Sequence, residues 1–344
     1  MIIVSAPGKC IIIGEHSVVY NEPAIIAAIG MRTYVKIKPA EDVTYMDVAW
    51  PDISHTWKID EVFELAQKTL DLWAMCNEKK DFSELFDFVK KNKYEAYRAS
   101  VLGIAMKMLG INKGFSIEIG SNVPIGSGLG SSSSRAVAIA KALSLQFNKK
   151  SSMGRLNDIA YELEKIMHGT PGGGDNAASC YGGLIWFQRS AQKNTIIPLR
   201  KEIPYKLENF VLVNVGTPEK RTGELVQAIR DLPEDYRNPR IKSIGKMAYE
   251  MRDALAKKDF GKMKQIINKT QKALAELGVS RKDIDELASA VREIDGAAKL
   301  CGGGGGGVVL CWHEDKEKLT SIIKDLGYEP WETELAVDGV RFES

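Results

Sequence analysis

The apolar residues of this chain recur with two periods, which predict strands in some segments and helices in others. Near the start, apolar runs at residues 2–4 and 11–13 and the alternation over residues 32–38 predict a β-meander. Apolar residues spaced three or four apart then predict helices around residues 62–73 and 94–108. Strand signals therefore precede helix signals in this part of the chain.

The middle of the chain predicts a strand, a flexible loop and two helices in succession. Residues 115–119 alternate like a half-buried strand, and a glycine- and serine-rich stretch leads from them into an apolar helical pattern at residues 136–147. A strongly amphipathic helix is expected at residues 156–167, because Gly169 and Pro171 supply stop signals directly after it. A further strand is predicted at residues 184–187.

The pattern changes beyond residue 196. Two charged amphipathic helices are expected between Ser243 and Leu277, and another after Ser280, which is predicted to form a capping box with Asp283. The remaining predicted elements are strands at 210–215 and 308–312, a helix at 316–326 and an extended stretch at 332–342. Strands separated by helices, with hairpin-like pairs at the ends, favour an α+β sandwich over an all-parallel sheet.

Composition narrows the function classes. The 344 residues are 44% hydrophobic, which is enough for a large core in two domains or one large domain. Lys and Arg number 47 against 45 Asp and Glu, so neither nucleic acid nor a membrane surface is an expected partner and any anion site has to be local. The five scattered cysteines fit reduced thiols in a cytoplasmic protein, and the dispersed histidines argue against a structural metal.

The glycine- and serine-rich stretch at residues 122–135 is a candidate polyphosphate site. Its glycines permit left-handed turns that point successive N–H groups at one anion, and the serines lie where the next helix begins, at its positive dipole end. No Gly-Lys-Ser/Thr follows, so the stretch is not a P-loop. An ordinary connection between two core elements is the alternative. The candidate phosphate ligands are Gly126, Ser127, Gly128, Leu129, Gly130, Ser131 and Ser132.

A second stretch combines acidic residues with glycines. Glu164 and His168 are four residues apart and share one edge of the predicted helix, where Glu164 borders the apolar stripe. Residues 172–174 are glycines, which would let Asp175 project from a loop as a working acid or base. The alternative is that Asp175 caps the next helix.

Two more stretches carry candidate chemistry. Residues 6–16 place Lys9, Glu15 and His16 around short apolar runs, although a lysine beside a glycine turn is by default solvated. Six glycines at 302–307 precede an apolar strand, which would let the second half of the chain press closely against bound phosphates.

In this order and spacing, these stretches resemble the signature motifs of the GHMP kinase family of small-molecule kinases, and together they bracket nearly the whole chain. Trp50-Pro51-Asp52, with Trp57 after it, resembles a further segment of the same family. The resemblance implies a two-domain α+β sandwich with its active site in the inter-domain cleft. An ATP-binding domain at 1–196 and a ferredoxin-like α+β domain at 197–344 are expected.

The resemblance also implies ATP as co-substrate, Mg²⁺ as cofactor and a role for each residue. The loop of 126–132 would cradle the triphosphate, Ser132 and Glu164 would hold Mg²⁺, and Asp175 would take the acceptor's hydroxyl proton beside Lys9. The acceptor site would comprise Lys9, Glu15, His16, Arg135, Asp175, Thr222 and Gly303.

The acceptor itself is the least determined part of this interpretation. The stretches are most similar to those of family members that phosphorylate mevalonate, which makes mevalonate the expected small-molecule partner. Phosphomevalonate, a sugar or a sugar acid is the alternative, because Arg135 suits either a carboxylate or a phosphate. A non-catalytic nucleotide or metabolite sensor on the same fold is a further alternative. The sequence leaves the assembly state open, with a homodimer among the expectations.

Overall fold

The chain begins with two long antiparallel strands, β1 (Ile2–Ile13) and β2 (Pro23–Pro39). This computed structural model describes residues 1–49 and 54–344. The meander prediction divided β1 in two, but the strand continues through Pro7-Gly8 with a shift of register between Pro7 and Lys9. Gly8 is needed there because a Cβ atom would lie 2.6 Å from the carbonyl oxygen of Leu129.

The first sheet has the strand order β12-β1-β2-β5-β3-β4, and β6 pairs with β2 and with β7 at one side. Its further strands are β3 (Val43–Asp47), β4 (Ser54–Trp57), β5 (Phe115–Ser121), β6 (Leu184–Gln188), β7 (Thr195–Pro198) and β12 (Arg341–Phe342). The helices of this part are α1 (Ile59–Lys79), α2 (Ser83–Leu109), α3 (Ser131–Gln146), α4 (Met153–His168) and α5 (Gly174–Tyr181). Their apolar stripes bury a common core against the inner face of the sheet.

The second sheet has the order β11-β8-β10-β9 and is antiparallel. Its strands are β8 (Phe210–Asn214), β9 (Ala297–Cys301), β10 (Val308–Trp312) and β11 (Pro330–Glu332). The accompanying helices are α6 (Thr222–Arg230), α7 (Glu234–Ala256), α8 (Phe260–Glu276), α9 (Lys282–Glu293) and α10 (Lys316–Asp325). The mixed α and β architecture agrees with the predicted fold class.

Two local predictions for the second half are wrong, and one helix was missed. Ser280 does not cap α9, because Arg281 is the N-cap residue and its guanidinium binds Asp283, while the Ser280 hydroxyl donates to Asp285 at 2.7 Å. The extended stretch expected at 332–342 is mostly irregular and contains the last residue of β11, the two residues of β12 and isolated bridges at Leu335 and Asp338. Helix α6 was not predicted.

The two sheets share one apolar core and are also joined by the end of the chain. Cys10 and Ile12 of β1 belong to the same buried cluster as Leu300 of β9. Strand β7 runs through the predicted domain boundary at 196/197, and β12 returns to pair with β1. The division at that boundary stays a prediction. None of the helices in the described ranges has the length and apolar character needed to cross a bilayer.

Candidate active site

The predicted phosphate loop connects β5 to α3. Gly126, Gly128 and Gly130 have φ angles of 75°, 77° and 78°, which are the left-handed turns expected of them. The first two are exposed, so the loop is open to solvent. Leu129 instead buries its side chain in the core, and its carbonyl oxygen accepts a 2.8 Å hydrogen bond from the backbone N–H of Lys9. This bond fixes the loop to β1.

The four serines at the start of α3 divide into two pairs. Ser131 and Ser132 are half-buried and line a cavity in front of the helix. Ser133 and Ser134 are fully buried; their hydroxyls bind the carbonyl oxygen of Gly130 at 3.0 Å and the hydroxyl of Thr33 at 2.7 Å. Only the first pair is therefore placed to meet a ligand.

Glu164 of α4 reaches the same helix start. The Ser132 hydroxyl donates to Glu164 at 3.3 Å and lies 3.0 Å from Nε2 of His168, one turn further along α4. The Glu164 side chain is 5% exposed. Burial, with a smaller contribution from the charge of Asp175, raises the pKa of Glu164 to about 8. The carboxylate thus lacks a strong cationic partner of its own among the described residues.

Lys9 and Asp175 form the central ion pair of the site. Nζ of Lys9 lies 3.1 Å from Oδ2 of Asp175, and the lysine side chain is 8% exposed against 46% for the aspartate. Burial acts most strongly and lowers the pKa of Lys9, but Asp175 and the nearby Cys301 and Cys10 together outweigh it, so that the pKa is raised. Asp175 does not project from a loop, because α5 begins at Gly174 and Gly173 is its N-cap residue. The interpretation of Asp175 as a cap is also wrong, since its side chain makes no capping bond.

A cavity of about 580 Å³ lies between the two sheets on one side of this pair. His16, Thr222 and Gly303 line it together with Lys9 and Asp175. Nε2 of His16 lies 2.8 Å from the carbonyl oxygen of Gly303, and burial lowers the pKa of His16. The neutral ring therefore donates from Nε2, which leaves Nδ1 as an acceptor that has no partner in the described part of the chain.

A second cavity, of about 460 Å³, lies on the other side of the pair. The phosphate loop and the outward serines line it, and apolar or aromatic residues continue its wall: Tyr94, Tyr97, Ile125 and Met167. Lys9, Gly128, His168 and Asp175 line both cavities. One end of a molecule bound along the phosphate loop would therefore lie next to a molecule bound in the first cavity, beside these four residues.

Two candidate acceptor ligands are already paired with other side chains, and one of them lies on the other side of the site. Arg135 lines the second cavity, and its guanidinium lies 3.4 Å from Asp47, so the structure places it on the phosphate side. Glu15 lines the first cavity, but its carboxylate is paired with Lys299 and both side chains are fully buried. Each of these charges already has a protein partner.

The sequence analysis assigned no site role to His168 and did not predict the partner of Lys299. His168 carried a signal, because it is four residues from Glu164 on one helix edge. Lys299 carried none, since its partner is 284 residues away. The resemblance found at Trp50-Pro51-Asp52 falls on residues that lie outside the described ranges.

The residues present fit a single divalent cation with few protein ligands. No group of three or more His, Cys, Asp or Glu side chains with metal-binding geometry occurs in residues 1–49 and 54–344. Mg²⁺ bound with substrate phosphates needs only one or two protein oxygens, however, because phosphate and water complete its octahedron. Glu164 and Ser132 offer such oxygens, and the raised pKa of Glu164 indicates a carboxylate that a cation would neutralise.

Comparison with known proteins places the chain in context. Two family models match: GHMP kinases N terminal domain over residues 94–183, and GHMP kinases C terminal over residues 251–332. The mevalonate kinase of Thermococcus sibiricus is 29% identical over 99% of this chain and 98% of its own length. The mevalonate kinase of Candida albicans is 30% identical over 98% of this chain and 89% of its own length. The solved structure of Methanococcus jannaschii mevalonate kinase has the same fold, with a TM-score of 0.78, 24% identity and 98% coverage of both chains.

Proposed function

The chain belongs to the GHMP kinase family, and from that premise we propose that it transfers the γ-phosphoryl group of ATP to the terminal hydroxyl of mevalonate. It is an ATP-dependent phosphotransferase that acts on an alcohol. The observation that carries the proposal is the position of the Lys9–Asp175 pair, which lies where the two cavities meet. The cavity proposed for the phosphates and the cavity proposed for the acceptor therefore meet at one carboxylate, Asp175, and one ammonium group, Lys9.

In this mechanism the triphosphate lies in the second cavity along the phosphate loop. The N–H groups at the start of α3 and the hydroxyls of Ser131 and Ser132 bind its oxygens, because a helix N-terminus presents unpaired donors and a positive dipole end. Bound Mg²⁺, held by Ser132 and Glu164, would supply positive charge to the phosphate oxygens. The wall of Tyr94, Ile125 and Met167 supports placing the base of the nucleotide beyond the phosphates.

The acceptor alcohol occupies the first cavity, with its hydroxyl beside Asp175. Asp175 accepts the hydroxyl proton as the oxygen attacks phosphorus, and the ammonium of Lys9 stabilises the charge that develops on that oxygen. General-base assistance is typically worth about a hundred- to ten-thousandfold in rate. His16 and Thr222 border the same space and would bind the remaining polar groups of the acceptor.

Asp175→Asn tests the proposal, because it keeps the shape of the side chain and removes the base. We expect kcat with mevalonate to fall at least about a hundredfold while nucleotide affinity stays within a few fold, measured by coupled ADP release and by titration calorimetry. Asp71→Asn, on the surface of α1, is the matched control. A variant that turns over as fast as the parent would contradict the role of Asp175, whereas a parent protein that binds nucleotide and phosphorylates no alcohol would favour a nucleotide sensor.

A panel of alcohols identifies the acceptor. The parent protein is assayed with mevalonate, phosphomevalonate and galactose at equal concentrations. The proposal is supported if only mevalonate is phosphorylated. If another alcohol is phosphorylated and mevalonate is not, the substrate assignment is refuted and the kinase assignment remains intact. A homodimer stays a prediction, which light scattering of the purified protein would test.

A further inference from the structure

Two segments from different sheets meet on the floor of the acceptor cavity. One follows β1 and comprises residues 14–16; the other follows β9 and begins at Gly302. Nε2 of His16 donates to the carbonyl oxygen of Gly303 at 2.8 Å, and Glu15 and Gly302 line the same cavity beside them. We call this contact between residues 14–16 and 302–303 the cavity floor.

Lys299, the third residue of β9, lies directly beneath the cavity floor. Its ammonium donates to the carboxylate of Glu15, to the carbonyl oxygen of Leu300 at 2.8 Å and to the carbonyl oxygen of Ile11 at 3.2 Å. All three of its N–H donors are therefore used, and they join the end of β1 to the end of β9. The side chains of Lys299 and Glu15 are both 0% exposed.

Stability alone is a weak reason for such a pair. Removing two charges from water costs nearly as much as their attraction returns, and well-packed apolar residues often replace a buried ion pair without loss. The pair does have a geometric effect, because it joins Glu15, the immediate neighbour of His16, to β9, the strand that leads directly into Gly302 and Gly303. A close fit is required here, since a Cβ atom on Gly303 would lie 2.6 Å from the Thr222 hydroxyl oxygen.

We propose that Lys299 is a positioning residue: through Glu15 it holds His16 and Gly303 in the arrangement that receives the acceptor alcohol. The proposal rests on the proposed function for the identity of that alcohol. Lys299 does not line the cavity and contacts neither the phosphate loop nor Asp175. Its loss should therefore affect the acceptor and leave the nucleotide unaffected.

The test compares Lys299→Met with the double variant Glu15→Leu/Lys299→Met. The single variant leaves a buried carboxylate without its cation and is expected to lower the melting temperature, whereas the double variant removes both charges and is expected to restore it. In the double variant KM for mevalonate should rise about tenfold or more, while the Kd for ADP stays within twofold of the parent. Lys316→Met, which breaks an exposed pair with Glu332, is the control that changes neither value.

A purely structural role predicts a different result, because restored stability would then restore the KM for mevalonate as well. A double variant whose KM stays within twofold of the parent overturns the proposal. If the double variant does not fold, Lys299→Arg serves instead, since it keeps the charge but moves the donors, and an unchanged acceptor KM again overturns the proposal.

A measurement without substrate separates this proposal from the proposed function. The histidine ring signals of the ligand-free protein are recorded by NMR and assigned by single substitutions. We expect the double variant to shift the ring signal of His16, while those of His55 and His313 remain in place. An unmoved His16 signal refutes the positioning role even if the protein proves to act on another alcohol.

Discussion

At the scale of single residues, the site keeps an acidic side chain largely shielded from water at the edge of a cavity. Glu164 is buried at the start of α3, and its neighbours among the described residues are the hydroxyl of Ser132 and the half-exposed ring of His168. Burial, reinforced by the charge of Asp175, raises its pKa from 4.5 to about 8. In the absence of a cation, the folded protein therefore holds a proton that the unfolded chain releases.

This raised pKa makes the ligand-free protein lose stability as pH rises from about 4.5 through 8, because ionisation is easier in the unfolded chain. Glu164→Gln removes the titration, so we expect it to be more stable than the parent at pH 8, by up to about 4 kcal/mol, and nearly equal at pH 5. Thermal unfolding with divalent cations removed measures both. Parallel pH profiles of the two proteins would show that Glu164 is not held in its neutral form.

The serines of α3 give a second prediction at this scale. Ser132→Ala removes a proposed metal ligand on the cavity side and should weaken the binding of Mg²⁺ and ATP at least about tenfold with little change in unfolding free energy. Ser134→Ala removes one of the two hydroxyl partners of Thr33, the buried one, and should cost about 1 kcal/mol of stability while binding is retained. Titration calorimetry and urea denaturation distinguish the two. Equal effects on both measurements would contradict the division into two pairs.

At the scale of elements, the phosphate loop is fitted closely to β1 at one point and free at another. A Cβ atom on Gly130 would lie 2.8 Å from Cγ of Lys9, whereas one on Gly128 would meet nothing within 4 Å. Both glycines have nearly the same positive φ, so the backbone strain of an alanine is alike at the two positions, about 1–2 kcal/mol. Comparing alanine substitutions at the two glycines therefore separates the effect of backbone strain from the effect of contact with Lys9.

We expect Gly130→Ala to reduce kcat at least about tenfold more than Gly128→Ala, because only the first moves the side chain of Lys9 away from Asp175. Steady-state assays at saturating ATP measure the difference, and the matched loss of stability from strain serves as the internal control. A Gly128→Ala variant that is equally slow would indicate that loop conformation, not the position of Lys9, controls the rate.

A comparison of predicted and observed elements shows which of them local sequence was sufficient to predict. Helix α4 was predicted at 156–167 and spans Met153–His168, because its apolar stripe is long and Gly169 ends it. Strand β1 was divided because Pro7-Gly8 is a turn signal, and only its pairing with β2 shows that a bulge absorbs these residues. The cap at Ser280 failed because Arg281 takes up Asp283, a competition that spacing does not reveal.

For the site, too, features of the local sequence were predicted and contacts between distant elements were not. The motif residues Lys9, Ser132, Glu164 and Asp175 were all named from the sequence, and the structure brings them together. The burial of Glu15 against Lys299 and the pairing of Arg135 with Asp47 were not foreseen, because each depends on contacts between elements far apart in the chain.

At the scale of the whole molecule, one buried arginine reinforces the pairing that holds the last residues to the first sheet. Arg32 is buried, and its guanidinium donates to the carbonyl oxygens of Asp338 at 2.8 Å and Gly339 at 2.7 Å, and to the Ser5 hydroxyl at 2.6 Å. It therefore links β2, β1 and the segment that leads from the second sheet into β12.

Arg32→Met should lower the free energy of unfolding by about 2–4 kcal/mol, because it leaves buried carbonyl groups without donors. We expect one unfolding transition to persist, since the two sheets share a core, and amide hydrogen exchange at 338–343 to accelerate first. Arg341→Met, at a side chain about half exposed, is the control. Two separate transitions in urea would show that the sheets unfold independently.

Four residues, Lys9, Gly128, His168 and Asp175, line both cavities. Because the two cavities share these residues, a single compound that joins a nucleotide to an alcohol through a short phosphate bridge should occupy both cavities at once. Such a bisubstrate inhibitor would gain from effective concentration, since one end holds the other in place. It should compete with ATP and with the alcohol alike, and its optimal bridge length would report the separation of the reacting groups.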